Sequence, residues 1–192
     1  VSANRLLLHH LDTLLRVVAE PDLARWVSGR GLPHVLSSAP RLRAWAKRQN
    51  RARRDALLHD LRQAFDHPVV PIADVEPMTW DQVGALADAG MTIGSHTVSH
   101  QIVGVATREE VREELRESRA AIESRIGAPC RLFSYPNGER GDFCDADMAD
   151  AAAAGYSCAF TQVTGLATRA VNPLAIPRVA VPATAHFDTF LG

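Results

Sequence analysis

The second part of the chain alternates short apolar runs with longer amphipathic segments, and this alternation constrains the fold more than any other feature. Apolar runs begin near Met91, Arg131, Tyr156 and Leu174, and segments with helical spacing separate most of them. A succession of strand, helix and strand is typical of parallel strands joined by helical crossovers. From residue 69 onward the sequence therefore predicts an α/β fold.

Capping residues and glycines set the expected limits of these elements. The pattern predicts strands at residues 91–95, 131–135, 156–161 and 174–181, the last interrupted by Pro177. Thr79 is placed to cap a helix that Gly90 stops, and Thr107 begins a capping box with Glu110 for a helix that ends at Gly127. A shorter helix is expected over residues 145–154.

Residues 1–68 have a different pattern and a different charge. Apolar residues recur at helical spacing before Pro21 and again over residues 40–65, so we expect a mostly helical segment. These 68 residues carry 12 basic and 6 acidic side chains, whereas residues 69–192 carry 9 basic and 16 acidic ones. The sequence thus predicts a basic helical segment at 1–68 and an acidic β/α domain at 69–192.

Seven cations and no acid lie between Arg41 and Arg54. Such a run could bind phosphate or an acidic polymer, or it could form a solvated helix face or dock on the acidic half of the chain. We favour the second interpretation, because no nucleic-acid-binding motif accompanies the run. Nucleic acid is therefore an unlikely partner.

Composition excludes several protein classes. The apolar fraction of 46% is too high for a disordered chain, and no apolar run approaches the roughly 20 residues of a membrane span. The three cysteines, Cys130, Cys144 and Cys158, are odd in number and form no C-x-x-C pair, so we expect packing residues and not a disulfide scaffold or thiolate zinc site. No signal-peptide pattern is present, and the compartment and oligomeric state stay open.

Two histidines follow the predicted strand at 91–95, at a spacing of four residues. His96 and His100 could converge on one metal ion, because one helical turn would bring them to the same side and neutral imidazole is the commonest nitrogen ligand of zinc. The alternative is two unrelated surface histidines. Tyr135 and Asn137 follow the next predicted strand, and active sites of parallel α/β folds lie at the carboxyl ends of strands.

Several segments together resemble the polysaccharide deacetylase family (NodB-homology, carbohydrate esterase 4). They are residues 78–83, 90–100, 133–138, 155–156 and 176–179, and the resemblance spans roughly 78–182. The helical first third is similar to an insertion that some members carry before the histidine motif. The resemblance implies a distorted (β/α) barrel, incomplete in this chain.

The resemblance also implies a reaction and a set of residues for it. Family members remove N-acetyl, sometimes O-acetyl, groups from sugars and polysaccharides with a divalent metal, most often zinc. By resemblance, His96 and His100 are metal ligands, and the backbone N–H of Tyr135 holds the oxyanion. An arginine that orients the base would be Arg178 or Arg131. The floor of the substrate groove would be Pro136, Asn137 and Gly138.

One family feature is missing, namely the adjacent pair of aspartates that supplies the third ligand and the base. No Asp-Asp occurs in the chain; Asp66 and Asp188 each follow a phenylalanine but no buried strand. His186 could stand in for the family's late histidine or be a surface residue. Either a segment preceding this chain carries the pair, which we prefer, or the chain is a non-catalytic relative that binds a glycan or partner. Both explanations predict a weak or inactive enzyme from these residues alone.

Overall fold

The first described region is a group of helices. The computed structural model describes residue 11 and residues 14–65 and 78–180. Three helices follow a helical stretch at residues 14–17, and we label them α1 (Glu20–Gly29), α2 (Ala39–Lys47) and α3 (Arg51–Phe65). A 3-10 helical turn, His34–Ser37, connects α1 to α2. The described residues 14–65 are thus mostly helical, whereas the division of the chain at residue 68 remains a prediction.

The helical stretch predicted at 40–65 consists of two helices, α2 and α3, and the spacing of its apolar residues did not indicate the break between them. Asn50 lies between α2 and α3, and its side-chain oxygen accepts a hydrogen bond from the backbone N–H of Arg53 at 3.0 Å. This is the bond that an N-cap residue makes, so α3 begins anew at Arg51. The helices share one hydrophobic cluster of buried residues: Leu11, Leu14, Leu15, Leu23, Val27, Leu36, Leu42, Ala46, Leu57 and Leu61.

Residues 78–180 form an α/β unit with a small parallel sheet. Its elements are α4 (Trp80–Asp88), α5 (Arg108–Ile126), β1 (Leu132–Ser134), α6 (Asp145–Ala153), β2 (Cys158–Thr164) and β3 (Ile176–Arg178). The strand order is β1-β2-β3, and both neighbouring pairs are parallel. The predicted α/β class is thus confirmed, whereas the barrel remains a prediction.

Local capping signals gave accurate helix limits. Thr79 and Thr107 both form complete capping boxes, with Gln82 and Glu110 respectively. Gly127 ends α5 with φ of 67°, the left-handed conformation that glycine adopts most readily. These capping interactions form between residues at most four apart, so their formation does not depend on the tertiary fold.

Two predicted strands differ from the structure. Of residues 91–95 only Ser95 pairs, through a parallel bridge to Phe133 in which its N–H donates to the carbonyl of Leu132 at 2.8 Å. The last strand is shorter than predicted, and its register with β2 shifts between Phe160 and Thr164. Pro177 lies in that strand and has no N–H to donate, which interrupts regular pairing there.

A second hydrophobic cluster underlies the sheet. Its buried members are Val103, Val111, Leu115, Cys130, Phe133, Tyr135, Ala151, Tyr156 and Ala159. All three cysteines are free; Cys130 is buried as expected, but Cys144 is exposed because it lies just before α6, so its assignment as a packing residue was wrong. Within the described ranges, no helix is both long and apolar enough to cross a membrane.

Candidate metal centre

His96 and His100 lie on a loop that follows the Ser95 bridge, and their rings are in contact. The ring centroids are 4.8 Å apart and the planes meet at 82°, an edge-to-face arrangement. The segment is not the helical turn that the spacing suggested, because Thr97 (φ 62°) and His100 (φ 55°) are both left-handed. Residues other than glycine rarely adopt this conformation, so the loop requires outside contacts to hold it.

The ring of His96 is oriented by the end of β1. Its Nδ1 lies 2.7 Å from the carbonyl oxygen of Ser134. A carbonyl only accepts, so this nitrogen carries the proton and Nε2 keeps a free lone pair. Desolvation of the ring lowers the pKa of His96, the bond to Ser134 opposes this, and the charge of Arg178 lowers the pKa further. The structure thus favours the neutral imidazole that metals bind.

His100 is neutral for similar reasons. Burial, reinforced by the neighbouring His96, lowers the pKa of His100 to about 4. Its Nδ1 is buried and has no hydrogen-bond partner among the described residues. Buried ring nitrogens are normally paired, and a metal ion is one group that would relieve this one. The two histidines therefore fit part of a metal site.

The described residues do not complete that site. Within residues 14–65 and 78–180 no group of three or more His, Cys, Asp or Glu side chains could hold a metal ion. The substitutes considered above, Asp66, Asp188 and His186, lie outside the described residues.

Tyr135 lies next to the histidine loop, but its groups are already engaged. Its ring is buried and stacks on Phe143 at 4.5 Å, and its hydroxyl donates to the carbonyl of Leu174 at 3.0 Å. Burial raises the pKa of this hydroxyl. The backbone N–H, expected to hold an oxyanion, donates to the carbonyl of Phe160 at 3.0 Å because the chain continues to pair with β2. An oxyanion could use this N–H only after that bond breaks.

The turn at 136–138 is mostly buried and has one partly accessible side chain. Pro136 and Gly138 are buried, and Asn137 is half-buried. Asn137 and Gly138 have φ of 58° and 71°, and the carbonyl of Gly138 accepts from the N–H of Gln162 at 2.8 Å. Of the three residues predicted to form the groove floor, Asn137 alone has a polar side chain, and its contact with a ligand remains a prediction.

Of the two candidate arginines, the structure brings Arg178 towards the histidines. Its Nε donates to the carbonyl of Thr161 at 2.6 Å and its Nη2 lies 3.5 Å from the hydroxyl of Ser134. Ser134 is also the residue whose carbonyl binds His96. Arg131 is exposed and precedes β1, at the opposite end of the strand.

Glu114 is a functional candidate that the sequence reasoning missed. It lies on α5 and is buried, and its carboxylate accepts hydrogen bonds from the N–H of Val98 (2.6 Å) and from the N–H and hydroxyl of Ser99 (2.9 and 2.6 Å). The available signal was its position, because Glu114 shares the inner face of α5 with Val111 and Leu115.

Arg54 was also missed, since it belongs to the basic run. It is 2% exposed, and its guanidinium contacts the same loop. Arg48 of that run pairs with Asp142 at 3.2 Å, whereas Arg53 is exposed. Of the two forms of the favoured interpretation, Arg48 and Arg54 show docking on residues 78–180, whereas Arg53 lies on a solvated helix face.

Comparison with known proteins agrees with these features. The family model for polysaccharide deacetylase matches residues 47–159, more than half of the chain. The chain belongs to the polysaccharide deacetylase family. No curated protein shows a significant sequence match to it.

Solved structures of two relatives share its fold. One is a polysaccharide deacetylase from Bacillus cereus, with 21% identity, a TM-score of 0.54, and coverage of 72% of this chain and 46% of that one. The Streptococcus pyogenes deacetylase PplD, solved in complex with acetate, has 15% identity, a TM-score of 0.57, and coverage of 97% and 84%. This family member therefore spans about half the length of the first relative.

Proposed function

We propose that this chain is the part of a metal-dependent deacetylase that carries its two imidazole ligands, and that the substrate is an N-acetylated amino sugar or polysaccharide. The observation that carries the proposal is the contact between His96 and His100 beside Ser134. Membership of the polysaccharide deacetylase family supports the reaction class. The low pKa of both rings supports ligand function, because only neutral imidazole binds a metal.

An acetamido group resists hydrolysis because its carbonyl is a poor electrophile and water is a poor nucleophile. A divalent metal at His96 and His100, zinc in our proposal, would polarise that carbonyl and lower the pKa of bound water. We propose that the third ligand and the base are carboxylates from outside the described residues, as the adjacent aspartates of the family imply. Two imidazoles without a carboxylate make an incomplete zinc site.

The chain's own residues would orient these groups. The bond from His96 to the Ser134 carbonyl fixes the ring and makes Nε2 the ligand atom. Arg178, held against Ser134, supplies a positive charge that would orient a base carboxylate. Asn137 would contact the sugar, and Tyr135 would contribute its N–H to the oxyanion if its bond to Phe160 opens.

The test is acetate release from oligomers of N-acetylglucosamine by the longest natural form of the protein. We expect a chelator, His96→Ala and His100→Ala each to reduce the rate by roughly 100-fold or more, as expected for loss of a metal that activates water. His59→Ala, which removes an exposed histidine on α3, is the matched control and should leave the rate unchanged. A rate that resists chelation and survives His96→Ala would contradict the proposal.

One observation favours a second candidate, a non-catalytic module that binds a glycan. The described residues contain no third metal ligand near the two histidines. This candidate predicts that the longest natural form binds N-acetylated oligosaccharides without releasing acetate and contains no metal by elemental analysis. Chelator-sensitive acetate release would exclude it.

A further inference from the structure

We propose that Arg54, which lies on α3 of the helical N-terminal segment, is a positioning residue for the histidine loop. It would hold residues 97–101 in the conformation in which His96 and His100 face each other. The chemical importance of this role rests on the proposed metal site. The positioning itself is a property of the metal-free chain and can be tested there.

Both terminal nitrogens of the Arg54 guanidinium form hydrogen bonds with the histidine loop. Its Nη1 donates to the carbonyl oxygens of Ser99 (3.5 Å) and His100 (3.4 Å). Its Nη2 donates to the Ser99 hydroxyl at 3.3 Å and to the side-chain oxygen of Gln101 at 2.7 Å. Arg54 therefore contacts three consecutive residues, and the planar fork of an arginine suits such a set of acceptors.

The Ser99 hydroxyl links Arg54 to Glu114. It accepts from Arg54 and donates to the Glu114 carboxylate at 2.6 Å, so two buried and oppositely charged side chains meet through one hydroxyl. Arg54 covers the carbonyl side of the loop and Glu114 binds the N–H groups of Val98 and Ser99. Together they satisfy backbone groups that a loop with two left-handed residues cannot satisfy within itself.

Gln101 extends the connection to the start of α3. Its side-chain oxygen accepts from Arg54, and its side-chain nitrogen donates to the carbonyls of Ile102 (3.1 Å) and Gln49 (3.5 Å). The loop is thus bound to the junction between α2 and α3 at two points. Helices α2 and α3 therefore support the candidate metal centre, and within residues 14–65 they supply none of its proposed ligands.

The direct test is hydrogen exchange on the metal-free 192-residue chain with Arg54→Met, which keeps the length of the side chain and removes its donors. We expect the amides of Val98 and Ser99 to lose protection by about tenfold or more, because local opening becomes easier. The sheet amides of Ala159 and Gln162 should keep theirs. Loop amides as protected as in the parent chain would overturn the proposal.

Arg53→Met is the matched control, because it removes the same charge one residue away from an exposed position on α3. It should leave the Val98 and Ser99 amides unchanged. If it loosens them as much as Arg54→Met does, the effect is one of helix charge and the proposal fails.

Ser99→Ala keeps the test decisive if Arg54→Met does not fold. This variant cuts the hydroxyl link and leaves both charged side chains in place. It should raise exchange at the Val98 amide, and unchanged exchange there would contradict the proposed link.

Zinc titration of the same variants, made in the longest natural form of the protein, separates this inference from the proposed function. With histidine imidazoles labelled with nitrogen-15, we expect Arg54→Met to weaken zinc binding at His96 and His100 by roughly 10–100-fold, and Arg54→Lys to recover part of it. An affinity within about twofold of the parent would count against positioning. If the longest natural form of the protein binds no zinc at these residues, the proposed metal site fails, whereas the exchange data on the metal-free chain still decide the role of Arg54.

Discussion

The two loops of the candidate centre are held by different kinds of contact. The histidine loop is bound by side chains from two helices, Arg54 on α3 and Glu114 on α5. The loop that contains Tyr135 is bound by backbone hydrogen bonds to β2 and by aromatic packing on Phe143. The histidine loop follows the Ser95 bridge and the Tyr135 loop follows β1, to which that bridge pairs, so the two loops are neighbours with different kinds of support.

This difference predicts different sensitivity to substitution. Backbone pairing with β2 survives most side-chain changes, because every residue except proline provides the same groups. The contacts of the histidine loop depend on the particular side chains of Arg54 and Glu114. Removing either side chain leaves the buried charge of the other less well paired. Single substitutions outside the motif should therefore disturb the histidine loop more than the Tyr135 loop.

The largest effect is expected for Glu114→Ala. It removes the acceptor for three hydrogen bonds and leaves the buried Arg54 without its nearby opposite charge. We expect a loss of about 3–5 kcal/mol in the free energy of unfolding, measured by urea denaturation. Glu113→Ala, at an exposed position of the same helix, should change it by less than about 0.5 kcal/mol. Similar losses for the two variants would contradict a special role for Glu114.

Gly138→Ala tests the other loop and should cost about 2 kcal/mol. The residue has φ of 71°, and an added Cβ would lie 3.0 Å from the carbonyl oxygen of Tyr135 and 3.1 Å from the nitrogen of Gln162. Gly127→Ala is the control, because Gly127 has a similar φ of 67° with nothing within 4 Å. It should cost only about 1 kcal/mol, and equal costs would show that the close approach to β2 is unimportant.

The smallest effect is expected for Tyr135→Phe. It removes the hydroxyl that binds the Leu174 carbonyl and keeps the ring packed on Phe143. The free energy of unfolding should fall by about 1 kcal/mol, and the amide of Tyr135 should keep its protection from exchange. A loss of that protection would mean that the side chain, and not the pairing with Phe160, holds this loop.

The parts of the structure that sequence predicted well depend on neighbouring residues. Thr79 and Thr107 made the expected capping boxes because a capping box closes within four residues. Tyr135 follows β1 at the strand end that the alternation of strands and helices predicted, whereas His96 follows the isolated bridge at Ser95. The resemblance was placed at residues 78–182, and the family model matches residues 47–159, which include His96, His100 and Tyr135.

What the sequence did not reveal depends on contacts between distant residues. Arg54 was one cation among seven, and only packing on the loop more than 40 residues away makes it buried. The N–H of Tyr135 is occupied because β2 pairs beside it, which no motif reports. Residues 91–94 had the pattern of a strand, but pairing with β1 begins only at Ser95.

The central claim is that His96 and His100 form one metal site, and zinc titration of the longest natural form of the protein, with nitrogen-15-labelled histidines, tests it most directly. We predict that the imidazole resonances of His96 and His100 shift together, that His34 and His59 do not respond, and that His96→Ala abolishes the response of His100. No response at His96 and His100, or an unchanged affinity at His100 in the His96→Ala variant, would contradict the claim.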